Sequence, residues 1–142
     1  MRAIVPFTIV ALCLLRAGAG AAPCLEYEPH VVELRGALTL EVFPGPPNFD
    51  NLAKGDTPEH VWILTLSSPI CVNANAVDEL DRAVPTANRV QVGFREFAGY
   101  KQYESMLGHD VIVSGTLFPA HTVHHRTAVL MTIKTIKLVK GT

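Results

Sequence analysis

The stretch VVELRGALTLEV, residues 31–42, alternates apolar and polar side chains. Val32, Leu34, Leu38, Leu40 and Val42 fall on one face; Glu33, Arg35, Thr39 and Glu41 fall on the other. Successive side chains of a strand leave on opposite sides, so this is the period of a half-buried strand. Gly36 stands in the middle of the apolar row. A glycine there marks a bulge or a sharp bend, as at the corner of a barrel. A strand bent at its centre can serve two layers, which narrows the folds open to the chain.

The segments that follow fit such a fold. Residues 44–60, PGPPNFDNLAKGDTPEH, exclude regular structure through proline, glycine and asparagine. Loops that long in a small domain tend to be functional. Residues 61–66, VWILTL, read as a second strand that ends before Pro69, with Ile70 to Val72 as a short continuation. Residues 73–88 are polar and irregular, with a helical turn near 78–82. Residues 89–95 give a third strand with Val90, Val92 and Phe94 on one face. Phe97, Tyr100, Tyr103 and Leu107 then form one apolar stripe, which predicts a helix over 98–107 ended by Gly108. Residues 110–118 and 128–139 are the last two strands; Val111, Val113 and Leu117 share a face of the first of them. The order predicts an all-β chain with one helix: a five-stranded OB-like Greek-key barrel, its helix between strands 3 and 4. An SH3-like barrel is the nearest rival. Nothing suggests a repeat or a second domain, so residues 22–142 read as a single unit.

The 142 residues are 49% hydrophobic and 18% charged, enough apolar material for a core. Net charge is −1, without the basic stripe that displaces counterions from phosphates, so nucleic acid is not an expected partner. Lys134, Lys137 and Lys140 fit a solvated edge strand better. Arg2, an apolar run over 4–15 and the small residues AGAGAA read as a signal peptide over 1–21, too short to span a membrane. Cys13 would leave with it. Cys24 and Cys71 remain, an even pair in an oxidising compartment, read as one disulfide. The expected location is periplasmic or secreted, with no membrane span in the mature chain.

FPAHTVHHRT, residues 118–127, holds His121, His124 and His125 within five positions. In an OB-like barrel, the loops after the first and fourth strands border the ligand face. These are residues 44–60 and 119–127. His121, Thr122, His124, His125 and Arg126 of one loop, with Phe49, Asp50 and Asp56 of the other, are the candidate ligand-binding residues. A small ligand such as a carboxylate, phosphate or sugar, or a partner protein, would suit them. His121 is expected to turn toward the first loop and, with Thr122, to organise a polar contact between the two. His124 and His125 are expected to diverge, one packed and one exposed. No cofactor is expected, although zinc on His121 and His124 stays open, with Asp50, Asp56, Glu59 or His60 to complete the set. The serines lack a nucleophile context and no carboxylates are paired by spacing, so catalysis is not expected. An accessory domain without a ligand is the third reading.

CLEYEP, PGPPNFDNLAKGD, WILTLSSPICV and GTLFPAHTVHHRTAVLMTI together resemble a family of exported bacterial proteins, domain-of-unknown-function family 4431. The resemblance runs from Cys24 to about Ile133. That family more often has glycine and histidine where this chain has Val123 and Arg126. It implies export and the cysteine pair, and it carries no activity.

Overall fold

The computed structural model of the protein describes residues 22–140. The signal-peptide reading, residues 1–21, lies outside them. Five strands form one sheet: β1 (Val31–Pro44), β2 (Pro58–Val72), β3 (Val84–Gly93), β4 (Asp110–Pro119) and β5 (Val129–Leu138). The single α-helix among the described residues, α1 (Phe97–Tyr103), lies between β3 and β4. The sheet closes on itself in the order β1-β2-β3-β5-β4. Neighbours are antiparallel except β3 and β5, which run parallel over residues 91–93 and 130–132.

Gly36 is where β1 changes partner. Residues 31–37 of β1 pair with β4 and residues 36–44 with β2, so Gly36 and Ala37 are paired on both sides. The backbones come so close that a Cβ on Gly36 would lie 2.1 Å from the Thr65 carbonyl oxygen. The apolar rows fill the interior as their periods require. Leu34, Leu38, Trp62, Leu64, Val90 and Val92 are buried in one core cluster, as are Val111, Val113 and Leu117 of β4. Each such side chain contributes about 1.5–3 kcal/mol by leaving water. α1 lays Tyr100 against Trp62 at 5.3 Å between ring centroids, and Tyr103 stacks on Phe94 at 5.5 Å.

Several sequence expectations are corrected. Leu40 and Val42 keep the parity of the core row but are about half exposed, although Leu40 is paired with the buried Trp62. Phe97 begins the helical stripe yet is 84% exposed. The helix is shorter than 98–107, since Glu104–Met106 turns as a 3₁₀ segment. Pro69 does not end β2. It falls between Thr65 and Ile70, where the β2–β3 register shifts and β1 has already left, so its missing N–H costs no ladder bond. β3 starts at Val84, inside the stretch read as irregular.

Cys24 and Cys71 are bonded, with Cα atoms 4.6 Å apart. Beside them Leu25 donates to the Cys71 carbonyl at 2.8 Å and accepts from the Asn73 N–H at 2.8 Å. Tyr27 is buried and its hydroxyl donates to the Arg82 carbonyl at 2.9 Å. Burial and then the nearby Asp81 raise the Tyr27 hydroxyl above its ordinary pKa. Among the described residues no helix is long and apolar enough to cross a membrane.

Candidate functional site

The loop between β1 and β2 is built around one carboxylate. Asp56, 5% exposed, accepts from the N–H groups of Asn48, Asp50 and Asn51 and from the Asn48 side-chain amide, at 2.7–3.1 Å. The donors from Asn51 and Asp50, strongest first, hold its carboxyl below the ordinary range. Phe49, in the middle of this wrap, has a left-handed backbone with φ 57°. That conformation is uncommon for a residue with a bulky side chain. It sets the Phe49 ring against His124 of the other loop, edge to face at 5.0 Å.

The two loops meet at Glu59, the second residue of β2. Its carboxylate accepts from Arg126 Nη2 at 2.6 Å and from His124 Nδ1. The same Arg126 nitrogen donates to the Pro44 carbonyl at 2.7 Å. The guanidinium lies over two rings, 5.4 Å from the centre of Phe43 and 5.8 Å from that of Phe49, within cation–π range. Burial alone would raise the Glu59 carboxyl; the Arg126 and His124 hydrogen bonds and charges outweigh it and hold the carboxyl low. Arg126 Nε is buried without a hydrogen-bond partner among the described residues. Gln91 of β3 ties the second loop to the sheet. Its Oε1 accepts from the Arg126 N–H at 2.6 Å and its Nε2 donates to the His124 carbonyl at 3.2 Å.

The other two histidines form a pair of their own. His125 Nδ1 accepts from the His121 N–H at 3.0 Å, and the rings stand edge to face at 4.6 Å. That acceptor must be unprotonated, which places the proton of neutral His125 on Nε2. His121 Nδ1 lies 3.0 Å from the Pro119 carbonyl, an acceptor, so here Nδ1 is the donor. Burial first, and then the charges of His121 and His124, lower the His125 pKa. Phe118 packs beside both rings.

The sequence-predicted residues thus divide. Arg126, His124 and Phe49 come together across the loops, with Glu59. His121 does not take the place expected for it: its hydrogen bonds stay within its own loop, and His124 and Arg126 make the ones that cross. Thr122 also bonds within that loop, its hydroxyl accepting from the His124 N–H at 3.3 Å. Asp50 is exposed and pairs with Lys54 at 3.2 Å. Asp56 serves the loop backbone. His124 is exposed and His125 half-buried, but both stand in the turn before β5 and not in extended structure. Among the described residues no three His, Cys, Asp or Glu side chains gather as metal ligands, and a zinc centre takes three or four. Gln91 and Arg95 carry no motif that would single them out in the sequence. Gln91 occupies an outward position of β3, a parity that the alternation of Val90 and Val92 does reveal.

Residues 89–137 match the family model described as Domain of unknown function, DUF4431. The match covers 49 of the 142 residues. The DUF4431 segment takes in the end of β3, α1, β4, the histidine loop and most of β5. It therefore includes Gln91, Arg95 and every histidine of the second loop, whereas Glu59, the Asp56 loop and both cysteines lie outside it. Among curated proteins the chain has no match.

Proposed function

We propose that the protein is an exported binding module on an OB-like Greek-key barrel, holding a small ligand or a partner protein where the two loops meet. The observation that carries this reading is the joint contact of Arg126 and His124 with Glu59. It makes one surface of two irregular loops. The closed strand order, with β3 and β5 parallel, supports the OB-like assignment. In that fold the corresponding loops border the binding face. The Cys24–Cys71 disulfide supports export to an oxidising compartment.

A fragment screen read by backbone amide chemical shifts tests the proposal. Hits should perturb residues 45–57 and 120–128 together. Hits that map to other surfaces, or a screen without hits, would argue for an accessory domain. Fractionation of expressing cells, with the processed protein recovered outside the cytoplasm, tests export.

A further inference from the structure

A cavity of about 280 Å³ opens where β2 begins, β3 ends and β5 begins. His60, Arg95 and His125 line it, and no carboxylate does. Two neutral residues with hydroxyls, Tyr100 and Thr132, join them, and so does Gln91, whose amide is already bonded at both ends to the second loop. The apolar walls are Trp62, Phe94, Phe118 and Met131. Its volume lies just below the roughly 300–1,000 Å³ usual for ligand pockets, and its lining is about half polar and half apolar.

The charges in it are unspent. Arg95 forms no salt bridge among the described residues, whereas Arg89 and Arg126 each have a carboxylate. Arg95 also borders two neighbouring cavities that do hold carboxylates, Glu28 and Glu96 in one of about 830 Å³ and Glu28, Asp78 and Asp81 in one of about 460 Å³, but none of these acids lines this cavity or forms a salt bridge with Arg95. His125 has given its Nδ1 to the His121 N–H, so the group it has left to offer is an Nε2–H donor. Gly93 keeps the Tyr100 hydroxyl within reach, since a Cβ there would lie 2.6 Å from that oxygen. Donors with one permanent positive charge, apolar walls and no acid make a site for a compact monoanion.

We infer that this cavity binds a small organic carboxylate with an aromatic or aliphatic body, its carboxylate on Arg95 and its body between Trp62 and Phe118. Arg95 supplies the planar fork that fits two carboxylate oxygens. The inference rests on the reading of the loops as a binding region, because His125 belongs to one of them and His60 closes the other. It adds a ligand class and a place.

Trp62 is the only tryptophan in the chain and stands in the cavity wall, so its fluorescence reports occupancy. The disulfide-bonded full-length protein, titrated at neutral pH with benzoate, should give a saturable change. Benzamide, the same ring without the charge, should bind about tenfold more weakly or worse. Arg95→Gln should weaken benzoate by about tenfold and leave benzamide within about twofold. Arg95 is exposed, so this variant is expected to fold, and a circular dichroism melt checks that it does. Tyr100→Phe, which removes one hydroxyl only, gives a second reading of the same site and should weaken benzoate a few-fold. Equal binding of benzoate and benzamide, indifference to Arg95→Gln, or no saturable change with benzoate overturns the inference. A charge-indifferent response that His125→Ala abolishes would overturn it while leaving the loop region as a binding site. Fragment shifts confined to surfaces away from both loops would remove the broader proposal instead.

Discussion

Glu59, the second residue of β2, accepts a 2.6 Å hydrogen bond from Arg126 in the loop before β5. The two are 67 positions apart in sequence, and both side chains are mostly buried. A charged group deprived of its partner in such a place keeps its desolvation cost. Glu59→Gln and Arg126→Gln should therefore each destabilise the protein by about 1–3 kcal/mol in urea unfolding. The double variant should lose less than the sum of the two, because neither change leaves a lone charge behind. Strict additivity would show that the two loops are held together by something else.

Two acid-sensitive steps follow from the shifted groups. Folding lowers the proton affinity of His125, so below the ordinary imidazole pKa of about 6.5 the unfolded chain binds more protons and stability falls as pH drops. Folding also lowers the Glu59 and Asp56 carboxyls. Their contribution is complete above the ordinary carboxylate range and is lost as pH falls below about 4. A melting temperature followed from about pH 7.5 to about pH 3, a range that spans both groups, should decline in two stages. His125→Asn, which keeps an acceptor for the His121 N–H and cannot titrate, should flatten the first stage and spare the second. A first stage that survives in this variant would assign it to another histidine.

Asp56 gathers three backbone N–H groups of residues 48–51 around the left-handed Phe49. Asp56→Asn replaces one of its accepting oxygens with a donor that meets N–H groups. Hydrogen exchange should then quicken across residues 45–57 while the Leu64 and Val90 amides stay protected. The Phe49–His124 ring contact should loosen with it, visible as a shift of the His124 ring protons. Unchanged exchange in the loop would show that its fold does not depend on the carboxylate.

The parts of this fold that are legible in sequence are those with a period. Alternation in residues 31–38, 90–94 and 111–117 marks the strands and their inner faces, and Gly36 marks the bend. Parity says which way a side chain points, not whether anything covers it. That is why Leu40, Val42 and Phe97 share the pattern of the core and are nonetheless exposed. At the site, proline, asparagine and histidine mark both loops. The joint between them is not legible, because Glu59 stands in TPEH without period or partner nearby and meets Arg126 only once the ring has closed. Arg95 and Gln91 look like ordinary strand residues for the same reason. Closure of the sheet gives them their neighbours.

The Cys24–Cys71 bond closes a loop with a sequence separation of 47. In the chain-entropy account a loop of that length stabilises by about 4 kcal/mol. Changing both cysteines to serine should lower stability by about that much, read as a shift in the urea midpoint with little change in slope. The Leu25 bonds to Cys71 and Asn73 should weaken at the same time, so exchange at Leu25 and Asn73 should quicken. Mass spectrometry of the non-reduced protein should find no alkylatable thiol at either position.

Gly36 sets the sharpest test of the architecture. A methyl group there would stand 2.1 Å from the Thr65 carbonyl oxygen and 2.8 Å from its carbon, both backbone atoms that cannot rotate away. Gly36→Ala must therefore push β1 from β2 at one of the two positions where β1 is also paired with β4. Overpacking of this kind typically costs about 1–3 kcal/mol, and the fixed backbone puts this site at the upper end or beyond. Gly55→Ala is the contrasting change. Gly55 has φ 99° and open space within 4 Å of where a methyl group would stand, so only the unfavourable backbone conformation is felt, at about 1–2 kcal/mol. Gly36→Ala should fall well below Gly55→Ala in melting temperature and should spread amide shifts through both the β1–β2 and β1–β4 ladders. Equal and local effects would mean that β1 does not join the two halves of the ring at Gly36.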